Sequence, residues 1–243
     1  MRTFQAQNFR NPMFAMMKFH YTNLDTCHTA TGLVVVVDVI RAFTNAAFAF
    51  ARGADRIYPV SGVDEALEFK QQNSEALVFG EVGGIPPAGF DSGNSPTHTD
   101  ALDLSGRVIV QRTGAGTQGV VRSVQATAMV AASFVVAGAT VKYIRLLNPQ
   151  EVSFVVTGET YDGGAEDLAC AEYLEALLRG DSPIVDGYLE RVRNSHDGRQ
   201  FIGSTLPHLP ATDLDLCTAV DKFNFAMPVT REDGRFVMRA IRP

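Results

Sequence analysis

Runs of consecutive apolar residues alternate along this chain with segments whose apolar residues recur every three or four positions. The runs have the length of buried strands, and the recurring segments have the period of helices that cover one face of a sheet. Strands are predicted at 33–38, 57–60, 76–80, 107–112, 128–133 and 152–157. Helices are predicted at 42–52, 61–72, from about 117, at 135–147 and 166–178, and near 188–201. This alternation predicts a three-layer α/β/α fold with a largely parallel sheet.

The two ends of the chain differ from this regular middle. Residues 1–25 are predicted to form a peripheral strand, a peripheral arm or an irregular start. Two apolar segments near the C-terminus, 224–230 and 236–241, are joined by Glu232-Asp233-Gly234, which is typical of a hairpin turn. No internal repeat and no low-complexity linker divides the sequence. We therefore expect one domain over residues 1–243, with the C-terminal hairpin in 205–243 packed on it.

Acidic residues stand where predicted strands end. Asp38 ends the first strand, Glu81 follows the third strand, and Asp91 lies in the long polar segment 81–103. Ligands of open α/β sheets bind outside the carboxyl ends of the strands, so these three carboxylates could converge there. Their oxygens are the ligands that Mg²⁺ prefers, and Mg²⁺ commonly binds substrate phosphate as well. Local roles compete with this interpretation, because Asp38 could cap the helix at Ala42 and Asp91 could form an Asx-turn.

A glycine-rich turn, Gly114-Ala115-Gly116-Thr117-Gln118-Gly119, follows a predicted strand and opens a predicted helix. Its spacing matches G-x-G-x-x-G, the dinucleotide-binding fingerprint. A dinucleotide site also needs an acid at the end of the next strand, and residues 129–140 contain no Asp or Glu. The turn therefore favours a simpler anion site, in which amides near Gly116 and the side chain of Arg41 or Arg112 oppose negative charge.

Composition limits the classes of partner. The chain has 21 Lys and Arg against 27 Asp and Glu, a formal net charge of −6. Nucleic acids and anionic membranes normally require a basic surface, so neither is expected to bind. The apolar stretch 126–139 is too short to span a bilayer. Three cysteines without a C-x-x-C pair indicate neither a disulfide framework nor a zinc site, and we expect a cytoplasmic protein.

Five blocks carry a resemblance to a known family. They are Asp38-Val39-Ile40-Arg41-Ala42, Gly80-Glu81-Val82-Gly83-Gly84, Gly89-Phe90-Asp91-Ser92-Gly93-Asn94-Ser95-Pro96, Thr113-Gly114-Ala115-Gly116-Thr117 and Glu166-Asp167-Leu168-Ala169-Cys170-Ala171. In this order they resemble the 2-phosphosulfolactate phosphatases, the ComB-type magnesium-dependent phosphatases, from about Leu33 to the C-terminus. The fourth block departs from the family pattern, because Ala115 stands where an amide side chain is expected and Arg112 where a hydroxyl is expected.

The resemblance implies hydrolysis of a small anionic substrate, (R)-2-phospho-3-sulfolactate, to 3-sulfolactate and phosphate, an association with coenzyme M synthesis, and a homodimer. It implies catalytic roles for Asp38, Arg41 and Asp167, and a magnesium ion held by Asp38, Glu81 and Asp91. Substrate contacts are expected from Asn94, Ser95, Thr113, Gly116 and Thr117.

Rival hypotheses stay open at this point. The chain could be a phosphatase for another small 2-phospho-carboxylate, or a non-catalytic anion-binding domain, since the turn around Ala115 is altered. Water could attack directly, or Asp38 could be a nucleophile, although haloacid-dehalogenase-type phosphatases have an acid where this chain has Ile40. His98 in the long segment could donate a proton to the leaving oxygen. Cys170 lies on the apolar side of its predicted helix and is expected to pack.

Overall fold

A computed structural model describes residues 17–158 and 164–243. Its strands are β1 (Lys18–Thr22), β2 (Leu33–Val37), β3 (Arg56–Pro59), β4 (Leu77–Gly80), β5 (Val108–Arg112), β6 (Ala128–Ala132), β7 (Glu151–Val156), β8 (Met227–Glu232) and β9 (Arg235–Met238). Its α-helices are α1 (Ala42–Ala51), α2 (Val63–Gln72), α3 (Pro96–Asp100), α4 (Gly116–Arg122), α5 (Ala137–Leu147), α6 (Ala165–Leu178), α7 (Asp186–Asn194), α8 (His196–Phe201) and α9 (Thr212–Cys217). Within these residues no helix has the length and apolar character that crossing a bilayer requires.

The described strands form one mixed sheet of nine, in the order β1-β7-β2-β6-β8-β9-β3-β5-β4. Five pairings are parallel and three are antiparallel. Helices flank the sheet, so the predicted three-layer α/β/α fold with a largely parallel sheet is confirmed.

Strand β2 shows why the apolar runs become strands in this fold. All five of its side chains are buried, and four of them are β-branched valines, which suit a pleated surface covered on both faces. Val34 and Val36 pack into a core that contains α1, whereas Leu33, Val35 and Val37 pack into a second core that contains α6. An uninterrupted apolar run is therefore what this central strand requires.

The C-terminal hairpin forms as expected, and its strands enter the middle of the sheet. There β8 pairs with β6 and β9 pairs with β3. Its side chains Met227, Val229 and Met238 are buried there. The antiparallel pairings follow one another, so the parallel group β3, β5 and β4 runs opposite to the parallel group β1, β7, β2 and β6.

Three local expectations can be compared with the structure. In the N-terminal segment, residues 18–22 form the edge strand β1 beside β7, which agrees with the peripheral strand among the alternatives, and residues 1–16 lie outside the described residues. The helix predicted near 188–201 is two helices, because Ser195 ends α7 and caps α8 by accepting a hydrogen bond from the amide of Gly198 at 2.9 Å. The long segment 81–103 contains the short helix α3, and α9 was not predicted.

Candidate active site

A cleft of about 400 Å³ lies where the turns after β2, β4, β5 and β7 meet α8. Five of the predicted site residues line it: Asp38, Arg41, Glu81, Asn94 and Asp167. A larger cavity of about 740 Å³ lies beside Arg56 and Arg107, but no predicted site residue lines it. The smaller cleft is therefore the candidate active site.

Asp38 directly follows β2 and is held by the backbone amide of Ala42. Its Oδ1 accepts a hydrogen bond from the amide of Ala42 at 2.8 Å, so Asp38 does cap α1. Burial raises the pKa of Asp38 to about 7, the amides of Ala42 and Gly116 oppose that rise, and the negative charge of Glu81 adds to it. The capping role and a role in the cleft are thus compatible.

Glu81 joins two glycine-rich turns. Its Oε1 accepts from the amide of Gly114 at 2.6 Å, and its Oε2 accepts from the amide of Gly84 at 2.7 Å. Gly83 and Gly84 both have positive φ, at 60° and 81°, which glycine adopts without strain. The turn after β4 can therefore fold back on Glu81 and place its carboxylate in the cleft.

Asp167, at the start of α6, ties the ends of β2 and β7 together. Its Oδ1 accepts from the amide of Val39 at 2.7 Å, and its Oδ2 accepts from the hydroxyl of Thr157 at 3.2 Å. Burial raises the pKa of Asp167 well above its usual range, and the negative charges of Glu166 and Asp38 raise it further. Asp38 is thus close enough to Asp167 to disfavour its ionisation.

The glycine-rich turn after β5 uses its amides within the protein. The amide of Gly114 is bonded to Glu81, and the amide of Gly116 lies close enough to Asp38 to lower the pKa of that carboxyl. Thr113 and Thr117 each donate their amide to the other's hydroxyl, at 2.9 and 3.1 Å. Of the predicted substrate contacts, Thr113 and Thr117 therefore bond each other, Gly116 lies beside Asp38, and none of the three lines the cleft. The dinucleotide hypothesis loses its pyrophosphate donors for the same reason.

Asn94 reaches the cleft, whereas its neighbour Ser95 faces away from it. Asn94 is 7% exposed and lines the cleft, and within residues 17–158 and 164–243 its Oδ1 has no hydrogen-bond partner. Ser95 is buried behind the wall, where its hydroxyl donates to Asp213 Oδ1 at 2.9 Å. An unsatisfied buried oxygen is costly, so a ligand at Asn94 would relieve a real penalty.

The structure does not bring Asp91 to the other two predicted metal ligands. Its Oδ2 accepts from the amide of Val78 at 2.8 Å, and its Oδ1 lies 2.5 Å from Lys70 Nζ. The segment around Ser92 also bridges to Phe79, so Asp91 completes the edge of strand β4. The geometry thus gives Asp91 a structural role, but not as the Asx-turn that was the alternative, because its carboxylate bonds Val78 and Lys70.

Other candidates also lie outside the cleft. Arg112 donates to the carbonyl oxygens of Glu81 and Ser61, at 2.8 and 3.3 Å, and supports the turn after β4. His98 is exposed on α3 and does not line the cleft. Cys170 is fully buried in the core that contains α6, and burial raises the pKa of its thiol, which agrees with the expected packing role.

Sequence reasoning missed two acids of this region: Asp197 on α8, which lines the cleft, and Asp213 on α9, which pairs with Arg41. Arg41 Nη1 donates to Asp213 Oδ2 at 2.7 Å and to the carbonyl of His208 at 2.9 Å. The guanidinium of Arg41 also lies 5.1 Å from the centre of the Phe201 ring. No local pattern marked Asp213, because the short segment Asp213-Leu214-Asp215 resembles any solvated acidic helix start.

The donor set fits a hard, oxygen-loving cation. Five acidic residues line the cleft against one arginine: Asp38, Glu81, Glu166, Asp167 and Asp197, with Arg41. In the part of the chain that the structure describes, no three His, Cys, Asp or Glu side chains are grouped closely enough to form a complete metal centre. Mg²⁺ commonly needs only one or two carboxylates, because waters and substrate phosphate complete its shell. The excess negative charge and the free oxygen of Asn94 agree with such a cation.

Comparisons with known proteins cover these same elements. The family model described as 2-phosphosulpholactate phosphatase matches residues 19–232. A probable 2-phosphosulfolactate phosphatase of Carboxydothermus hydrogenoformans is 35% identical over 219 residues, which are 86% of this chain and 91% of that protein. A probable 2-phosphosulfolactate phosphatase of Thermotoga maritima is 31% identical over 222 residues, which are 88% and 93% of the two chains. One of Bacillus subtilis is 28% identical over 201 residues, which are 82% and 87%.

Proposed function

Since this chain belongs to the 2-phosphosulfolactate phosphatase family, a family of hydrolases that act on phosphoric monoesters, we propose that it hydrolyses (R)-2-phospho-3-sulfolactate to 3-sulfolactate and phosphate with the help of Mg²⁺. One observation carries this proposal: Asp38, Glu81 and Arg41 line a single cleft at the carboxyl ends of the strands. We assign the product to sulfonate metabolism of the kind that supplies coenzyme M.

Magnesium would be held by Asp38 and Glu81, with the free Oδ1 of Asn94 as a further oxygen. A bound magnesium ion would neutralise charge on the phosphoryl oxygens and polarise an attacking water. Asp91 is left out of this set, because its carboxylate is bonded to Val78 and Lys70. The raised pKa values of Asp38 and Asp167 follow from burial among like charges, which a bound cation would offset.

The chain's own residues place these groups before any substrate binds. The amide of Ala42 holds Asp38, against which Gly116 packs, while amides of Gly84 and Gly114 hold Glu81. Arg41 contributes fixed positive charge opposite the phosphoryl oxygens, where preorganised donors lower the barrier most. Asp167 keeps the turn after β2 in place through the amide of Val39.

A phosphatase for another small 2-phospho-carboxylate is the second candidate, and one observation favours it. A substrate with phosphate, carboxylate and sulfonate groups needs cationic partners at more than one point. Arg112 is committed to carbonyls of Glu81 and Ser61, and Ala115 offers the cleft only a methyl group. Among the described residues that line the cleft, Arg41 alone is basic.

Phosphate release tests both candidates. The purified protein is assayed with phosphosulfolactate and with phosphoglycolate, in Mg²⁺ and after treatment with EDTA. The proposal expects activity that EDTA abolishes and Mg²⁺ restores, with a higher kcat/KM for phosphosulfolactate. Equal kcat/KM for the two substrates would favour the second candidate. Activity that survives EDTA would refute the magnesium assignment, and no release from either ester would leave a non-catalytic anion-binding domain.

A further inference from the structure

A buried ion pair lies directly behind the wall of the cleft. Arg41 Nη1 and Asp213 Oδ2 are 2.7 Å apart, and the two side chains are 5% and 0% exposed. The other oxygen of Asp213 accepts from the hydroxyl of Ser95 and from the amide of Thr97, both at 2.9 Å. One carboxylate thus joins the turn after β2 to the segment that follows Asn94.

The ion pair leaves one edge of the guanidinium open. Nη1 of Arg41 is used by Asp213 and by the carbonyl of His208, and the Phe201 ring supports the guanidinium plane. Over residues 17–158 and 164–243, no hydrogen bond engages Nε or Nη2 of Arg41, which lines the cleft. A guanidinium edge with two parallel N–H groups binds an oxyanion in bidentate fashion.

We propose that Asp213 is a positioning residue that fixes Arg41 so that its open edge faces the phosphoryl group of the substrate. This inference rests on the proposed phosphatase function and deepens it. The same carboxylate, through Ser95 and Thr97, keeps Asn94 in register with Arg41. The positions of Arg41 and Asn94, which both line the cleft, therefore depend on Asp213 of α9.

A purely structural role of the ion pair explains fewer of these contacts than a positioning role does. Burying two charges costs desolvation free energy that their attraction often fails to recover, so the pair is poor evidence of a stabilising role. A structural pair has no need to leave half of the guanidinium unbonded beside a cleft. A positioning role requires that open edge, since the arginine must be held by one side and offered by the other.

The test combines Asp213→Asn, Arg41→Met and the double variant. Asp213→Asn keeps the size of the side chain and an acceptor for Ser95 and Thr97, but it removes the charge that holds Arg41. We expect kcat/KM for phosphomonoester hydrolysis to fall about tenfold to a hundredfold, because a charged hydrogen bond is lost where the phosphoryl group binds. The dissociation constant of inorganic phosphate, measured by calorimetry in Mg²⁺, should rise by about tenfold for the same reason.

The double variant separates positioning from structure. If Asp213 acts through Arg41, then Asp213→Asn adds no further loss of phosphate affinity in the Arg41→Met background. Arg41→Met alone leaves a buried unpaired carboxylate, so the double variant should unfold at a higher temperature than Arg41→Met. Losses of phosphate affinity that multiply in the double variant would overturn the proposal.

Asp221→Asn is the matched control. It makes the same chemical change in the C-terminal part of the chain, where the exposed Asp221 accepts a hydrogen bond from the amide of Gly138 and does not line the cleft. Its activity and phosphate affinity should stay within a few-fold of wild type. Should Asp213→Asn fail to fold, Ser95→Ala removes one of the contacts of Asp213 and should still weaken phosphate binding by a few-fold.

Failure of this inference can be told from failure of the proposed function. Wild-type protein that binds phosphate but hydrolyses no ester tested would contradict the proposed function alone, and the calorimetric cycle would still decide the role of Asp213. Phosphate affinity that is unchanged by Asp213→Asn, or by Ser95→Ala where the first variant does not fold, would overturn the positioning role. Absence of phosphate binding by the wild type would overturn both.

Discussion

Replacing Gly116 with alanine tests whether the glycine-rich turn serves to place Asp38. A Cβ on Gly116 would lie 2.6 Å from Asp38 Oδ2 and 2.7 Å from Ala42 Cβ, closer than such atoms approach without movement. Asp38 is 4% exposed and bonded to the amide of Ala42, so neither neighbour can move away freely. Overpacking of this kind costs about 1–3 kcal/mol. For a chain of this size that lowers Tm by roughly 2–12 °C.

The effect on catalysis should be larger than the effect on stability. The added methyl group must displace the carboxylate of Asp38, and a misplacement of about 1 Å in a reacting constellation costs about a hundredfold in rate. We therefore expect kcat/KM of Gly116→Ala to fall by about two orders of magnitude at saturating Mg²⁺. Helix propensity alone would favour alanine here by up to about 1 kcal/mol, so a net loss of stability must come from the contact.

Gly114→Ala is the control, because it lies in the same turn and makes the same change. Its Cβ would be 3.5 Å from Glu81 Oε1, an ordinary van der Waals contact. Steady-state phosphate release should stay within a few-fold of wild type, and thermal unfolding should shift by no more than about 2 °C. If the two alanine variants are equally active, the turn does not position Asp38 and the reasoning is wrong.

Three further predictions follow from the same geometry. Asp38→Asn should lower kcat/KM at least about a hundredfold, worth on the order of 3 kcal/mol, while the protein stays folded; near-normal turnover would reduce Asp38 to the cap of α1. Burial raises the pKa of Asp38 to about 7 and also raises the pKa of Asp167, so above about pH 4 the folded state binds more protons than the unfolded state. The free energy of unfolding without metal should therefore fall as pH rises towards 7. Added Mg²⁺ should remove most of that fall, and a flat stability profile in EDTA would contradict both shifts. Asp91→Asn should lower the unfolding temperature but keep activity within a few-fold of wild type, because the carboxylate of Asp91 bonds Val78 and Lys70. Loss of activity with unchanged stability would instead indicate that Asp91 binds magnesium.

The sequence by itself determined the local elements of this protein. The valine run of β2, the apolar spacing of α6 and the turn at Asp233-Gly234 each carry a period or a backbone preference that can be read without a partner. Strand ends were equally readable, so Asp38 was placed directly after β2 and Glu81 directly after β4. The five blocks were sufficient to predict the family, because three of them combine a strand end with residues of definite chemistry.

Tertiary structure alone decided which groups these residues meet. Period and composition do not encode the pairing partner of a strand, so the insertion of the C-terminal hairpin between β6 and β3 could not be predicted. An amide or a carboxylate in the sequence has many possible partners. Only the fold brings Gly116 into contact with Asp38, Asp91 with Lys70 and Asp213 with Arg41. Asp213 lies 172 residues from Arg41, and such a contact depends on the packing of α9 against α3 and α8 rather than on any local signal.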